Sequence, residues 1–181
     1  MTLIFPPLVT PRLILRCPES RDAADVSRLI TPGVARWVGT WSHPFTPPMA
    51  MERIKGARVW AAEHKAAPFA VTRKDDGAFM GWIGVTKNAP DRDGTTRATL
   101  GYWLGEDFHG HGYMREAGPR VVQAAFTWLD VAVIDAVAQL ANAASFAVMK
   151  ACGMAHVDDR MVFAPSRNAD EMCGVYEARR A

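Results

Sequence analysis

The 181-residue chain is 49% hydrophobic and 22% charged, a balance that excludes disordered and fibrous classes and leaves a single globular domain over residues 1–181 as the expectation. Its 21 basic and 19 acidic side chains are dispersed, so nothing marks a nucleic-acid surface, and no run approaches the ~20 apolar residues that cross a bilayer. Cys17, Cys152 and Cys173 lack metal-type spacing and Met1–Leu15 lacks a signal peptide's apolar run, so the expectation is a cytoplasmic protein with reduced thiols, no metal site and no membrane partner.

Leu8–Arg16 alternates and predicts a first strand ending at Cys17-Pro18. Ser20 is the expected cap of a helix with Ala23, Val26 and Ile30 on one face, stopped by Thr31-Pro32-Gly33. Thr31-Pro32 can open a short helix through Val38, and Pro47-Pro48 a longer one to about His64. From Pro68 the period becomes two. Phe69–Arg73, the turn Lys74–Gly77 and Phe79–Lys87 predict a hairpin, and Arg97–Leu104 extends it into an antiparallel meander.

Gly105–Gly112 is glycine-rich, and Tyr113–Leu129 has helical spacing of Met114, Ala117, Val121, Ala125 and Trp128. Gly118-Pro119 predicts a kink there, or a helix that starts only at Pro119. Val131–Gln139 reads as a buried strand, Asn142–Cys152 as a helix stopped by Gly153, and His156–Phe163 with Met172–Arg179 as a closing hairpin. The result is an α/β fold in the order β-α-α-β-β-β-α-β-α-β-β, with a mixed, mostly antiparallel twisted sheet of about seven strands.

The strand, glycine loop and helix start over Leu100–Ala117 concentrate the chemistry. Glycines let backbone N–H groups converge and a helix N-terminus adds partial positive charge, which suits a phosphate or pyrophosphate. The spacing is neither that of the P-loop nor that of the dinucleotide fingerprint, and a loop glycine-rich for turn geometry alone is the competing explanation.

Leu100-Gly101-Tyr102-Trp103-Leu104, followed by Gly110-His111-Gly112-Tyr113 and Glu116-Ala117, resembles the acetyl-CoA-binding motif of the GNAT N-acetyltransferase superfamily, in its ribosomal-protein N-terminal acetyltransferase branch. Thr10–Arg16 is similar to that branch's opening strand, Gly81-Trp82-Ile83-Gly84 to its third strand, and Asn142–Ser145 through Lys150–Met154 to its late helix. The resemblance implies a GNAT-like fold that binds acetyl-CoA where two strands diverge. It implies that Tyr102, Trp103 and Leu104 pair with pantetheine, with the N–H of Trp103 or Leu104 as oxyanion donor. It gives the backbone of His109, Gly110, His111, Gly112, Tyr113, Met114 and Arg115 to the pyrophosphate, Asn142 and Lys150 to the cofactor, and Ser145 to protonation of the leaving thiolate. His109 and Met114 depart from the usual residues, so Met114 must turn its side chain into the core.

The implied activity is direct transfer of acetyl to a primary amine, of a protein N-terminus or a small molecule, by a monomer or homodimer. The alternative is a catalytically silent acyl-CoA-binding sensor. Arg97–Leu104 holds no acidic residue to serve as base, Glu116 suits the helix dipole, and His43, His64 or ordered water are the candidates. Trp37, Trp41, Phe45 and Trp60 are expected either to pack as core or to wall the acceptor pocket. Cys152 lies on an apolar helix face and is expected in the core, not as a nucleophile.

Overall fold

The computed structural model describes residues 5–180. In chain order the elements are β1 (Leu8–Val9), β2 (Leu13–Arg16), α1 (Ala23–Leu29), α2 (Pro32–Ala35), α3 (Pro47–Ala62), β3 (Ala66–Arg73), β4 (Phe79–Lys87), β5 (Arg97–Leu104), α4 (Tyr113–Trp128), β6 (Val133–Gln139), α5 (Ala143–Ala151), β7 (Ala155–Ala164) and β8 (Ala169–Arg179). The strands form one sheet in the order β1-β2-β3-β4-β5-β6-β8-β7, antiparallel throughout except for β5 and β6. Among the described residues there are eight strands instead of seven because the chain turns at Thr10, whose N–H donates to the Leu13 carbonyl at 3.0 Å, and splits the first strand into β1 and β2.

Local chemistry explains most element starts. Thr31 and Thr46 cap α2 and α3, each accepting from the N–H three residues on, with proline directly after the cap. Ser20 is not the cap expected for α1. Residues Ser20–Asp22 form a 3-10 turn instead, because the Asp22 carboxylate accepts from the Glu19 N–H at 2.8 Å and is held at 2.6 and 2.8 Å by the Arg16 guanidinium. Pro68 is tolerated inside β3 because β2 reaches only as far as Ala70, which leaves that edge unpaired.

Helix α4 begins at Tyr113 and runs through Pro119, so the helix does not start at the proline. Gly118 explains the Gly-Pro pair. A Cβ at that position would lie 2.5 Å from Cys152 Sγ, so only glycine lets α4 approach the end of α5 this closely.

Two cores flank the sheet. Leu13, Leu15, Phe69, Val71, Ile83, Val85, Leu100 and Ile134 pack under α4, whose Met114, Ala117, Val121 and Ala125 face them. Met114 is buried as its position required. On the opposite face Ala70, Phe79, Trp82 and Trp103 meet Val26, Ile30, Trp41, Phe45 and Ile54 from the α1–α3 region. Each large apolar side chain buried this way contributes roughly 1.5–3 kcal/mol.

Candidate active site

The parallel pairing of β5 with β6 covers three residues, Arg97↔Val133, Ala98↔Ile134 and Thr99↔Asp135, and stops. Beyond it β5 stays with β4 as far as Leu104, while β6 stays with β8 as far as Gln139. A wedge therefore opens along the free edge of β5. The Asn88 N–H bonds the Arg97 carbonyl and the Gly105 N–H bonds the Met80 carbonyl, both at 2.9 Å, which assigns the odd-numbered residues of β5 to the β4 ladder. Alternation then turns the backbone polar groups of Leu100, Tyr102 and Leu104 toward the wedge.

This register corrects one expectation. The Trp103 N–H faces β4 and cannot be the oxyanion donor, and its indole packs 5.3 Å from Trp41 on the face away from α4 and α5. Tyr102 and Leu104 hold the wedge-facing N–H groups. The Leu104 carbonyl is already taken, accepting from His109 Nε2 at 2.8 Å.

At the mouth of the wedge the loop turns into α4. The His109 N–H bonds the Glu106 carbonyl at 3.0 Å, so His109 contributes its ring to β5 and no backbone donor to the loop, against expectation. The donor set begins at Gly110. Gly110 and Gly112 adopt φ of +78° and +76°, Gly112 being the N-cap of α4. The N–H groups of Gly110, His111, Gly112, Tyr113, Met114 and Arg115 have no acceptor among the described residues. Six free donors at a helix N-terminus form an anion cradle.

A clasp from the N-terminal segment holds this cradle. The Arg12 guanidinium donates to Glu116 Oε2 at 2.7 Å and to the His111 carbonyl at 3.0 Å, and lies 4.6 Å above the Tyr113 ring. Glu116 Oε1 also accepts from the Thr10 hydroxyl at 2.5 Å and the Arg12 N–H at 2.9 Å. Burial pushes the Glu116 carboxyl upward, but the bonds from Thr10 and Arg12 outweigh it and hold its pKa below the usual range. Glu116 is thus a tie between chain segments as well as a charge on the helix dipole. Thr10 and Arg12 stood in the quoted opening motif, but nothing in that motif paired them with Glu116.

Across the wedge, α5 presents its first turn. Asn142 caps it, its Oδ1 accepting from the Ser145 N–H at 3.1 Å. The Tyr102 hydroxyl reaches over from β5 and lies 2.6 Å from Ser145 Oγ and 3.0 Å from the Ser145 carbonyl. Burial pushes the Tyr102 hydroxyl far up, so it stays protonated at neutral pH. The side-chain part of Tyr102 was not legible in the sequence. Lys150 is exposed on the last turn of α5.

The other candidates separate. His43 Nδ1 donates to the Ile30 carbonyl at 2.9 Å, and His64 packs edge-on against Phe5 just before β3, at the end of the sheet opposite Leu104. Neither is brought to the wedge. Trp41 and Phe45 are buried core, Trp60 is half exposed and lines a cavity of about 350 Å³ with His64 and Lys87, and Trp37 borders a smaller one of about 60 Å³ shared with Val137, Gln139 and Cys173. Burial pushes the Cys152 thiol up to about 12, as befits a core residue.

Residues 12–155 match the acetyltransferase (GNAT) domain family. The chain belongs to that family. A curated relative, the FsC-acetyl coenzyme A-N(2)-transacetylase of Aspergillus fumigatus, is 34% identical over 88 residues, which are 46% of this chain and 37% of the relative, so the match spans little more than a third of that protein's length. Among solved structures, the ribosomal-protein-S5-alanine acetyltransferase of Vibrio fischeri superposes with a TM-score of 0.81 at 20% identity, covering 97% of each chain. Mycobacterium smegmatis RimJ in complex with CoA-disulfide superposes with a TM-score of 0.77 at 20% identity, over 92% of this chain and 81% of that one. At these identities the likeness is one of fold. GNAT acetyltransferases use acetyl-CoA, whose arm carries amides and ends in a pyrophosphate. The wedge-facing amides of Tyr102 and Leu104 and the free donors of Gly110–Arg115 are the chemistry that such a group requires of this GNAT domain.

Proposed function

We propose that this chain is an acetyl-CoA-dependent N-acetyltransferase that moves acetyl directly to a primary amine, of a protein N-terminus or a small molecule. The observation that carries the proposal is the continuity of an unpaired β5 edge with a donor-rich α4 N-terminus. The names of the relatives, which include a ribosomal-protein alanine acetyltransferase and an N(2)-transacetylase, support an amine acceptor. Three cysteines free of disulfides suit a reducing, cytoplasmic setting, and the whole chain is taken as one catalytic domain acting as a monomer or homodimer.

In this proposal acetyl-CoA supplies an activated acyl carbon and a thiolate leaving group. The backbone of Gly110–Arg115 binds the pyrophosphate. The amides of Tyr102 and Leu104 align the arm and supply an N–H for the acyl oxygen, which favours reaction through placement and a preorganised donor. Asn142 and Lys150 contribute to the same binding surface. Ser145 protonates the departing sulfur, and Tyr102, protonated and 2.6 Å away, can donate to Ser145 Oγ and leave the serine proton free to be given.

Isothermal titration with acetyl-CoA and with free CoA tests the cofactor half. Micromolar binding of both, lost on replacing Gly110 or Gly112 by valine, is the expected result. Release of CoA from acetyl-CoA in the presence of N-terminal peptides and small amines tests the transfer half. Binding without release from any acceptor would leave a silent acyl-CoA sensor.

A further inference from the structure

Taking the acetyl transfer proposed above as given, we infer that Asp135 is the group that removes the proton from the attacking amine, and that the acceptor arrives over the sheet face carrying Thr99, Gly101 and Asp135. Thr99↔Asp135 is the last β5–β6 pair before the wedge, so this carboxylate stands at its vertex. A chain held at the α4 cradle and laid back along β5 ends its run there.

Alternation decides the side of approach. On β5, Ala98, Leu100 and Leu104 belong to the core under α4 and α5, and on β6 so do Ile134, Ala136 and Ala138. Thr99, Gly101, Asp135 and Val137 therefore point to the other face. That face is open beside Asp135. Gly101 is exposed in the middle of β5, and a Cβ built on it meets nothing within 4 Å. An incoming amine thus has room at a point where the same strand is otherwise packed.

The carboxylate is equipped for the task. Asp135 is partly buried, and one oxygen accepts from the Thr99 hydroxyl at 2.6 Å. The other oxygen has no partner among the described residues. Around it stand Arg97 on β5, Arg160 on β7 and Glu177 on β8, with Arg97 itself bound to Glu177 at 2.6 Å and to Asp91. Burial raises the Asp135 carboxyl, assisted by Glu177 and opposed by the Thr99 bond and the two arginines, and the net displacement is upward. A raised carboxyl is a stronger proton acceptor, better matched to an amine donor than an ordinary aspartate.

The atoms balance. The amine nitrogen bonds to the acyl carbon, the carbon–sulfur bond breaks, and the nitrogen passes one proton to Asp135. The sulfur takes one from Ser145, which is reprotonated through Tyr102 or solvent, and Asp135 returns its proton to water.

The test is Asp135→Asn, which keeps the Thr99 bond, measured by CoA release with an active acceptor across about pH 5.5–9 and by titration with acetyl-CoA. The expected result is a kcat lowered about 10²–10⁴-fold and an acidic limb abolished, with acetyl-CoA affinity within about twofold. Thr99→Val withdraws a bond that favours the ionised carboxylate, so its acidic limb moves to higher pH, a displacement that simple loosening of the strands does not produce. An Asp135→Asn protein that keeps wild-type kcat and its acidic limb overturns the assignment, as does one whose acetyl-CoA affinity falls in step with kcat. Wild type that binds acetyl-CoA but acetylates no amine removes the transfer proposal itself.

Discussion

Gly118→Ala tests the close approach of α4 to α5 that sets the cradle and Ser145 on opposite sides of one wedge. The new Cβ would lie 2.5 Å from Cys152 Sγ and 3.7 Å from Val148 Cγ1. The first distance is about 1 Å short of the ~3.5–4.0 Å optimum for heavy-atom contact, and buried Cys152 has little room to turn away. Overpacking of this kind costs about 1–3 kcal/mol, and replacing an interior helical glycine by alanine returns roughly 0.8–1.0 kcal/mol. Gly118→Ala should therefore be less stable than wild type by up to about 2 kcal/mol. Cys152→Ala removes the obstructing sulfur at a cost of about 1 kcal/mol, and in the double variant the clash is gone while the helix gain remains. Urea unfolding followed by tryptophan fluorescence should give a favourable coupling of about 1–3 kcal/mol, read as a midpoint displaced by roughly 0.3–1 M per kcal/mol. Additivity within about 0.5 kcal/mol would refute the reasoning. So would a Gly118→Ala single variant more stable than wild type by the full helix gain.

Tyr102→Phe removes the hydroxyl beside Ser145 Oγ and should lower kcat about tenfold while acetyl-CoA affinity, read by titration, changes less than about twofold. Glu116→Gln dismantles the clasp from Thr10 and Arg12, and urea unfolding at neutral pH should show a loss of roughly 2–3 kcal/mol. Because the folded Glu116 pKa is depressed, its contribution is present above the unfolded carboxyl pKa and is lost as pH falls through the folded value. Wild-type stability should thus drop on acidification more steeply than that of the glutamine variant.

Periodicity and glycine placement made most of the element order legible, because a period of two from Phe69 to Leu104 and helical spacing from Tyr113 to Trp128 each answer to one buried face. The wedge residues were legible by resemblance, but their assignments depended on strand register, which sequence does not carry. Only the bonds at Asn88 and Gly105 distinguish Trp103, turned to β4, from Tyr102 and Leu104, turned to the gap. The His109 backbone was misassigned for a similar reason, since the 3-10 turn that uses its N–H is set by Glu106. The Thr10 and Arg12 clasp joins residues more than a hundred positions apart, and Asp135 sits in a stretch that reads only as a buried strand. Long-range pairing of polar groups leaves no periodic trace.

The three-residue contact between β5 and β6 has a thermodynamic corollary. The sheet consists of two antiparallel halves stitched together at one end, and the remaining rungs on the β5 edge pair with no strand among the described residues. Any amide-bearing chain that enters there acts as a partial ninth strand, and the free energy it releases also joins the halves. A ligand at a hundred times its dissociation constant would add about 2.7 kcal/mol to unfolding. The donor would then be a structural component of the sheet for as long as it stays bound, and the protein after its departure would be the less stable partner of the cycle.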